Sequence, residues 1–138
     1  MKIVLDTNIF ISAFLWQKTV KEIFILAKED EVQICVTKEI LDEFCRVLKH
    51  PKFLFRLKLI NKTPEGIITE FLEIVKFYPQ KIFKTTIIKE DPSDDKFLSC
   101  ATISNASFII SGDKHLLQLK NFRGIPIISA RNFLKILE

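Results

Sequence analysis

Short apolar runs typical of β-strands alternate with stretches of helical periodicity along this chain. When a strand, a helix and another strand follow one another, the two strands usually lie parallel in one sheet and the helix covers a face of that sheet. The pattern therefore predicts an α/β fold, a three-layer α/β/α sandwich around a mainly parallel sheet of about five strands. The predicted strands are residues 2–6, 32–36, 107–111 and 125–128, with weaker candidates at 82–83 and 86–88.

Local signals mark several helix ends. Thr37 is a predicted N-cap, and the residue before Pro51 resists helical geometry, which ends that helix near residue 49. Thr63-Pro64-Glu65 is a second helix start, because proline is favoured in a first turn. Residues 52–62 are ambiguous, and Pro126 favours a position near the sheet edge for the last strand. The predicted helices are residues 9–15, 19–30, 37–49, 64–77, 91–105 and 130–137.

The composition favours one globular domain spanning residues 1–138. Hydrophobic residues make up 48% of the chain, enough for a substantial core, and 13 phenylalanines supply most of its aromatic mass. No apolar stretch approaches the roughly 18 residues of a membrane span, and the chain begins directly with a strand. We therefore expect a cytoplasmic protein without a membrane partner.

Cysteine and histidine usage argues against a zinc site. The three cysteines form no Cys-x-x-Cys pair, and only two histidines are present. Three reduced, buried thiols are the expected state in the cytoplasm. A metal ion in this protein would therefore be held by oxygen ligands.

Two aspartates follow predicted strands at the point where each strand ends. Asp6 comes directly after the first strand, and Asp113 follows the strand 107–111 through Gly112. The carboxyl ends of parallel strands meet at one edge of an open α/β sheet, where such folds bind their ligands. Asp6 and Asp113 are therefore expected at the same edge.

Helix geometry selects two further acids. In the helix 37–49, Glu43 borders the apolar stripe that contains Ile40 and Phe44, whereas Glu39 and Asp42 point further outward. In the helix after Asp91, Asp94 precedes the inward residues Phe97, Leu98 and Ala101 by three, four and seven positions. Asp95 is turned away by about 100°. Glu43 and Asp94 are thus placed to face the same cleft.

Each of these acids has a simpler interpretation when it is considered alone. Asp6 could cap the following helix, Asp91 and Asp94 could stabilise a first turn, and Glu43 could be a solvated residue on a helix flank. Four carboxylates within a few ångströms of one another, however, repel by roughly 3–4 kcal/mol per pair. Such a cluster needs a cation, and oxygen-only ligands suit Mg²⁺ or Mn²⁺.

Four segments together resemble the PIN-domain ribonucleases, in particular the VapC-like toxin components of toxin–antitoxin pairs. The resemblance extends from Lys2 to about Phe133, in the order and spacing of the family. The segments are Asp6-Thr7-Asn8, Ile40-Leu41-Asp42-Glu43-Phe44, Asp91-Pro92-Ser93-Asp94-Asp95-Lys96-Phe97-Leu98 and Ser111-Gly112-Asp113.

The resemblance implies a Mg²⁺- or Mn²⁺-dependent endoribonuclease that hydrolyses single-stranded RNA. It also implies a homodimer and a separate antitoxin protein as a binding partner. It implies Asp6, Glu43, Asp94 and Asp113 as the catalytic and metal-binding acids. Asn8 and Ser111 match the polar helpers of the family, and Asp95 matches a more variable supporting position. Asn105 stands where relatives often carry glycine, and asparagine tolerates the same left-handed turn.

The charge distribution is consistent with a polyanionic substrate. The net charge is +4, and six lysines and arginines but no acid lie between Phe44 and Pro64. Basic residues interleaved with aromatic ones can follow a nucleic-acid backbone, so Lys49, Lys52, Arg56 and Lys58 are candidate RNA contacts. The alternative is a helix pair that packs through its apolar side while its lysines extend into solvent.

Other functions remain open at this stage. A PIN-like module could bind RNA or protein without cutting, and a housekeeping RNA-processing nuclease would share the same acids. An aspartyl-phosphate phosphatase would need a second aspartate two residues after the first, where this chain has Asn8. A flap-type DNA nuclease would carry more clustered acids on a longer chain. The sequence does not identify the RNA that is cut.

Overall fold

The computed structural model describes residues 1–16, 20–79 and 95–138. Secondary structure covers most of these residues. The strands are β1 (Lys2–Leu5), β2 (Gln33–Val36), β3 (Val75–Phe77), β4 (Phe108–Ile110), β5 (Asn121–Phe122) and β6 (Ile125–Ile128). The helices are α1 (Thr7–Trp16), α2 (Lys21–Lys28), α3 (Lys38–Leu48), α4 (Pro51–Leu59), α5 (Pro64–Ile74), α6 (Asp95–Ser104), α7 (Lys114–Leu119) and α8 (Ala130–Ile136).

The strands form a six-stranded sheet in the order β3-β2-β1-β4-β6-β5. The pairings among β3, β2, β1, β4 and β6 are parallel, and only the two-residue β5 runs antiparallel to its neighbour β6. The predicted α/β architecture with a mainly parallel sheet is therefore confirmed, and the described residues contribute six strands to it.

The order in which strands are added to the sheet reverses at β1. The connections from β1 to β2 and from β2 to β3 lead towards one side of the sheet, whereas β4 and β6 lie on the other side of β1. Because crossovers between parallel strands are right-handed, the helices on the two sides of β1 cover opposite faces. In open α/β sheets ligands bind at such a switch point, which in this chain lies between the carboxyl ends of β1 and β4.

Phenylalanine side chains fill the core between the helices on one face. Phe44 and Phe71 stack with ring centroids 4.5 Å apart, and Phe10 contacts Phe71 at 4.7 Å. Phe14 contacts Phe24 at 4.7 Å. These five rings are all buried, and their contacts pack α1, α2, α3 and α5 against one another. Phenylalanine therefore serves here as an apolar core residue.

The predicted caps are present. Thr37 accepts a hydrogen bond from the backbone N–H of Ile40, and Thr63 accepts one from Gly66 at 3.1 Å. Pro64 and Pro51 lie in the first turns of α5 and α4. Asn105 has a φ of 57°, so it takes the left-handed conformation expected at the end of α6.

Several local predictions were wrong or incomplete. Residues 75–77, expected as the last turn of a helix, form β3, because pairing with β2 outweighs helical periodicity there. The ambiguous residues 52–62 include most of α4, and α7 and β5 were not predicted. The strand 125–128 does lie near the sheet edge, as predicted, with only the two-residue β5 outside it among the described strands. The candidate strands at 82–83 and 86–88, and the predicted helix start at residue 91, lie outside the described residues.

Across the ranges given above, none of the helices combines the length and the apolar character that crossing a bilayer requires.

Candidate active site

Asp6 is a buried carboxylate at the carboxyl end of β1. Its exposed fraction is 3%. Oδ1 accepts a hydrogen bond from the backbone N–H of Ile9 at 2.9 Å, so Asp6 caps α1. Oδ2 accepts hydrogen bonds from the Ser111 hydroxyl and from the backbone N–H of Gly112, the latter at 3.3 Å. The capping interpretation is thus correct, but the carboxylate also binds the segment that follows β4.

Burial raises the pKa of Asp6 above the ordinary aspartate value, because desolvation penalises the charged form. The hydrogen bonds from Ser111, Ile9 and Gly112 oppose this shift, and the nearby charge of Asp113 adds to it. The carboxylate therefore lies where a positive charge would be favourable.

Asp113 follows β4 and begins α7. Its Oδ1 accepts hydrogen bonds from the backbone N–H groups of His115 at 2.7 Å and Leu116 at 3.3 Å. Its own backbone N–H donates to the Ser111 hydroxyl at 2.9 Å. Because β1 and β4 are adjacent and parallel, Asp6 and Asp113 lie at the same sheet edge, as predicted.

Ser111 connects these two acids. It is fully buried, its hydroxyl donates to Asp6 and it accepts from the backbone of Asp113. A hydroxyl that donates and accepts at the same time fixes the positions of both partners. Ser111 therefore contacts both strand-end acids, and its role as a polar helper stays a prediction.

Glu43 projects from α3 towards the residue next to Asp6. Its Oε2 accepts a hydrogen bond from the Thr7 hydroxyl, and its Oε1 lies 2.7 Å from the Lys96 ammonium. The Glu43 side chain is 13% exposed, whereas Glu39 and Asp42 are exposed. Helix geometry thus selected the one inward acid of α3.

The other predicted positions contribute less to the described site. Asp94 lies outside the described residues, and Asp95 is the partly buried first residue of α6. Phe97, Leu98 and Ala101 are buried, as expected for the inward face of that helix. Asn8 is exposed, and the hydrogen bonds to the Asp6 carboxylate described above come from Ile9, Ser111 and Gly112.

The fit of this site to a metal ion depends on its donor atoms. Asp6 and Asp113 offer carboxylate oxygens, which suit a hard divalent cation. In the part of the chain that the structure describes, no three histidine, cysteine, aspartate or glutamate side chains are grouped closely enough to share a metal ion. The described residues therefore supply a pair of acids, with Glu43 nearby and bonded to Lys96.

Sequence reasoning did not single out Thr7 and Lys96, although both hold Glu43. Thr7 follows Asp6 in the chain, and Lys96 lies in the first turn of α6. The sequence signal for Lys96 was its position as a basic residue next to the inward face of a helix that also carries acids. Its partner, 53 residues away, could not be identified from local periodicity.

The predicted basic surface divides into two parts. Lys49, Lys52 and Lys58 are exposed. Arg56 instead donates from Nε to the backbone carbonyl of Leu15 at 2.9 Å, and its guanidinium lies 5.3 Å from the Trp16 ring centroid. Arg56 therefore takes part in packing against the end of α1, whereas three exposed lysines are expected under both interpretations of this segment.

The aromatic and aliphatic residues between these basic positions also differ from one another. Phe53 and Leu57 are buried in the core, whereas Phe55 is 66% exposed. Only Phe55 of these three presents most of its side chain at the surface of α4.

Comparisons with known proteins agree with the fold. Residues 2–115 match the family model described as PIN domain. A chain from the crystal structure of VapBC2 from Rickettsia felis, bound to a DNA fragment from their promoter, superposes with a TM-score of 0.62 at 17% identity. The match covers 92% of this chain and 97% of that chain, and at this identity it shows the fold. No curated protein sequence matches the chain. The family model spans most of the chain and includes both strand-end acids, so the chain belongs to the PIN-domain family.

Proposed function

We propose that this protein is a metal-dependent endoribonuclease that hydrolyses phosphodiester bonds of single-stranded RNA, and that it is the toxin of a toxin–antitoxin pair. PIN domains are generally nucleases. The observation that carries the proposal is the pairing of Asp6 and Asp113 through Ser111 at the sheet edge, since a buried carboxylate beside a second acid is suited to a cation.

Asp6, Glu43, Asp94 and Asp113 would hold the Mg²⁺ or Mn²⁺. When bound, such a cation lowers the pKa of a water molecule and neutralises the charge that develops on the phosphoryl group. Asp94 enters this assignment from the sequence alone, through its helical spacing and its place in the motif. The expected products are a 5′-phosphate and a 3′-hydroxyl.

The protein residues would contribute orientation. The Ser111 hydroxyl holds one oxygen of Asp6 while the Ile9 N–H holds the other. The first turn of α7 fixes Asp113 through two backbone N–H groups. Carboxylates restrained in this way lose little freedom when they bind a ligand, which favours a defined metal position.

Exposed lysines would hold the RNA backbone. Lys49, Lys52 and Lys58 lie on or beside α4, which also presents the exposed Phe55 ring. Ammonium groups neutralise phosphates without regard to sequence, and an aromatic ring can stack on a base. The stretch between Phe44 and Pro64 contains no acid, so these three lysines have no acidic neighbour in the sequence that would repel a polyanion.

An antitoxin protein is the proposed regulatory partner. The structurally similar VapBC2 chain comes from a complex crystallised with promoter DNA. We propose by this analogy that the present chain forms a homodimer and associates with a separately encoded antitoxin in the cytoplasm. A short gene for a DNA-binding protein beside this one would distinguish the toxin role from that of a housekeeping nuclease.

The test is cleavage of single-stranded RNA by the purified chain. Activity with Mg²⁺ or Mn²⁺ should disappear in excess EDTA, and Asp6→Asn and Asp113→Asn should each abolish it while the protein stays folded. Asp42→Asn is the matched control, because Asp42 lies on α3 in an exposed ion pair with Lys38. Undiminished cleavage in EDTA would contradict the metal mechanism.

RNA binding without cleavage at saturating metal would favour the silent binding module instead. A phosphorylated enzyme intermediate trapped on Asp6 would favour a phosphatase.

A further inference from the structure

Lys96 is an enclosed cation beside the candidate active site. Its side chain is 8% exposed, and its ammonium lies 2.7 Å from Oε1 of Glu43, whose side chain is 13% exposed. The Lys38–Asp42 pair on α3 is of similar length at 3.0 Å, but its side chains are 78% and 57% exposed. Removing two charges from water is costly unless they are closely paired, so the Lys96–Glu43 contact is a specific feature of this fold.

Both oxygens of Glu43 already have donors within the protein. The Thr7 hydroxyl donates to Oε2 and the Lys96 ammonium to Oε1, while Arg46 approaches Oε1 from the exposed rim at 3.9 Å. The charge of this carboxylate is therefore balanced in the absence of a metal ion. A divalent cation at Glu43 would therefore meet the positive charge of Lys96 beside the same carboxylate.

We infer that Lys96 is the resident cation of the metal-free site: it neutralises Glu43 until a divalent ion replaces it. The inference rests on the proposed function, since it requires a metal ion at Glu43. Lys96 is then a positioning residue, which stabilises the inward conformation of Glu43 and competes with the metal ion for its carboxylate.

A different role for Lys96 makes the opposite prediction. If Lys96 only oriented Glu43 as a metal ligand, its removal would lower metal affinity by about 10- to 100-fold, as is typical of groups that support ligands. If Lys96 competes with the metal ion, its removal raises that affinity. The sign of the change decides between the two roles.

The experiment is a calorimetric titration of the full chain with Mn²⁺. Lys96→Met should bind Mn²⁺ about tenfold more tightly or better, because like charges a few ångströms apart repel strongly away from bulk water. Its melting temperature in EDTA should be lower than that of the wild type and should rise more on addition of Mn²⁺. Lys96→Arg, which keeps the charge, and Lys38→Met, which removes an exposed ion pair on α3, should bind Mn²⁺ like the wild type.

An unchanged or weakened Mn²⁺ affinity of Lys96→Met would overturn the inference while leaving the proposed function intact. If the wild type itself does not bind Mn²⁺, the proposed function fails as well.

A measurement on the wild type covers the case in which Lys96→Met does not fold. Modification of Lys96 by an amine-reactive reagent, followed by mass spectrometry, should be faster in Mg²⁺ than in EDTA. Equal rates in the two conditions would overturn the inference.

Discussion

The hydroxyl of Ser111 donates a hydrogen bond to the carboxylate of Asp6, although 105 residues separate the two in the chain. The contact is possible because β1 and β4 pair in parallel, with Leu5 opposite Ile110, so the residues after each strand emerge side by side. Ser111 also accepts a hydrogen bond from the backbone of Asp113 at 2.9 Å. One buried hydroxyl thus ties together the two acids at the carboxyl edge of the sheet.

Ser111→Ala should weaken both stability and metal binding. The substitution removes the hydroxyl and leaves Asp6 Oδ2 with the Gly112 N–H. Loss of one partner of a buried charged group costs about 1–3 kcal/mol of unfolding free energy. We expect lower Mn²⁺ affinity in calorimetry and slower RNA cleavage. Ser107→Ala, at an exposed position just before β4, is the control, and equal stability of the two variants would contradict this role.

Asp6→Asn should change how the stability of the metal-free protein depends on pH. Burial raises the pKa of Asp6, so the folded state favours its protonated form. This contribution is fully present below the ordinary aspartate pKa and is lost as the pH rises through the raised value. In EDTA, the wild type should therefore lose stability relative to Asp6→Asn across that interval. Denaturant unfolding at a series of pH values measures the difference, and parallel profiles would argue against a buried charge.

Lys52→Glu combined with Lys58→Glu should weaken RNA binding. If these exposed lysines contact phosphates, the slope of log affinity against log salt should fall by roughly 0.7 for each lost contact with single-stranded RNA. Fluorescence anisotropy with a labelled RNA at several salt concentrations gives this slope. Lys135→Glu is the control. It reverses one charge at an exposed position on α8, away from α4, and should leave the slope unchanged.

Arg56→Gln provides a contrast to these lysines. Arg56 is engaged with the Leu15 carbonyl and the Trp16 ring, so its loss should lower the melting temperature more than it changes the salt slope. A flattened slope with unchanged stability would instead assign Arg56 to the RNA surface.

Asp94→Asn and Asp95→Asn should differ in activity. Asp94 shares the predicted inward face of its helix with Phe97 and Leu98, so its loss should nearly eliminate RNA cleavage. Asp95→Asn should mainly lose a first-turn interaction below about 1 kcal/mol and keep most activity. Parallel assays at saturating Mn²⁺ measure both. An inactive Asp95→Asn beside an active Asp94→Asn would show that the helical register was assigned one residue out.

Local physical chemistry made much of this protein predictable. Near neighbours in the chain determine the alternation of strands and helices and the caps at Thr37 and Thr63. They also place Asp6 and Asp113 directly after strands, so all of these features could be predicted. Helical periodicity also separated Glu43 from Glu39 and Asp42. These features are encoded within one or two turns of a helix or a few residues of a strand.

Tertiary structure decided what these residues contact. Residues 75–77 form a strand because they pair with β2. Arg56 is not part of the exposed basic surface because it donates a hydrogen bond to a backbone carbonyl at the end of α1. The Lys96–Glu43 pair joins α6 to α3 through two residues that are 53 positions apart in the chain. Periodicity determines which face of an element is buried, whereas a partner is determined by the packing of distant segments. The sequence by itself therefore determined the fold class and the strand-end acids, and only the folded chain decided which neighbours balance their charge.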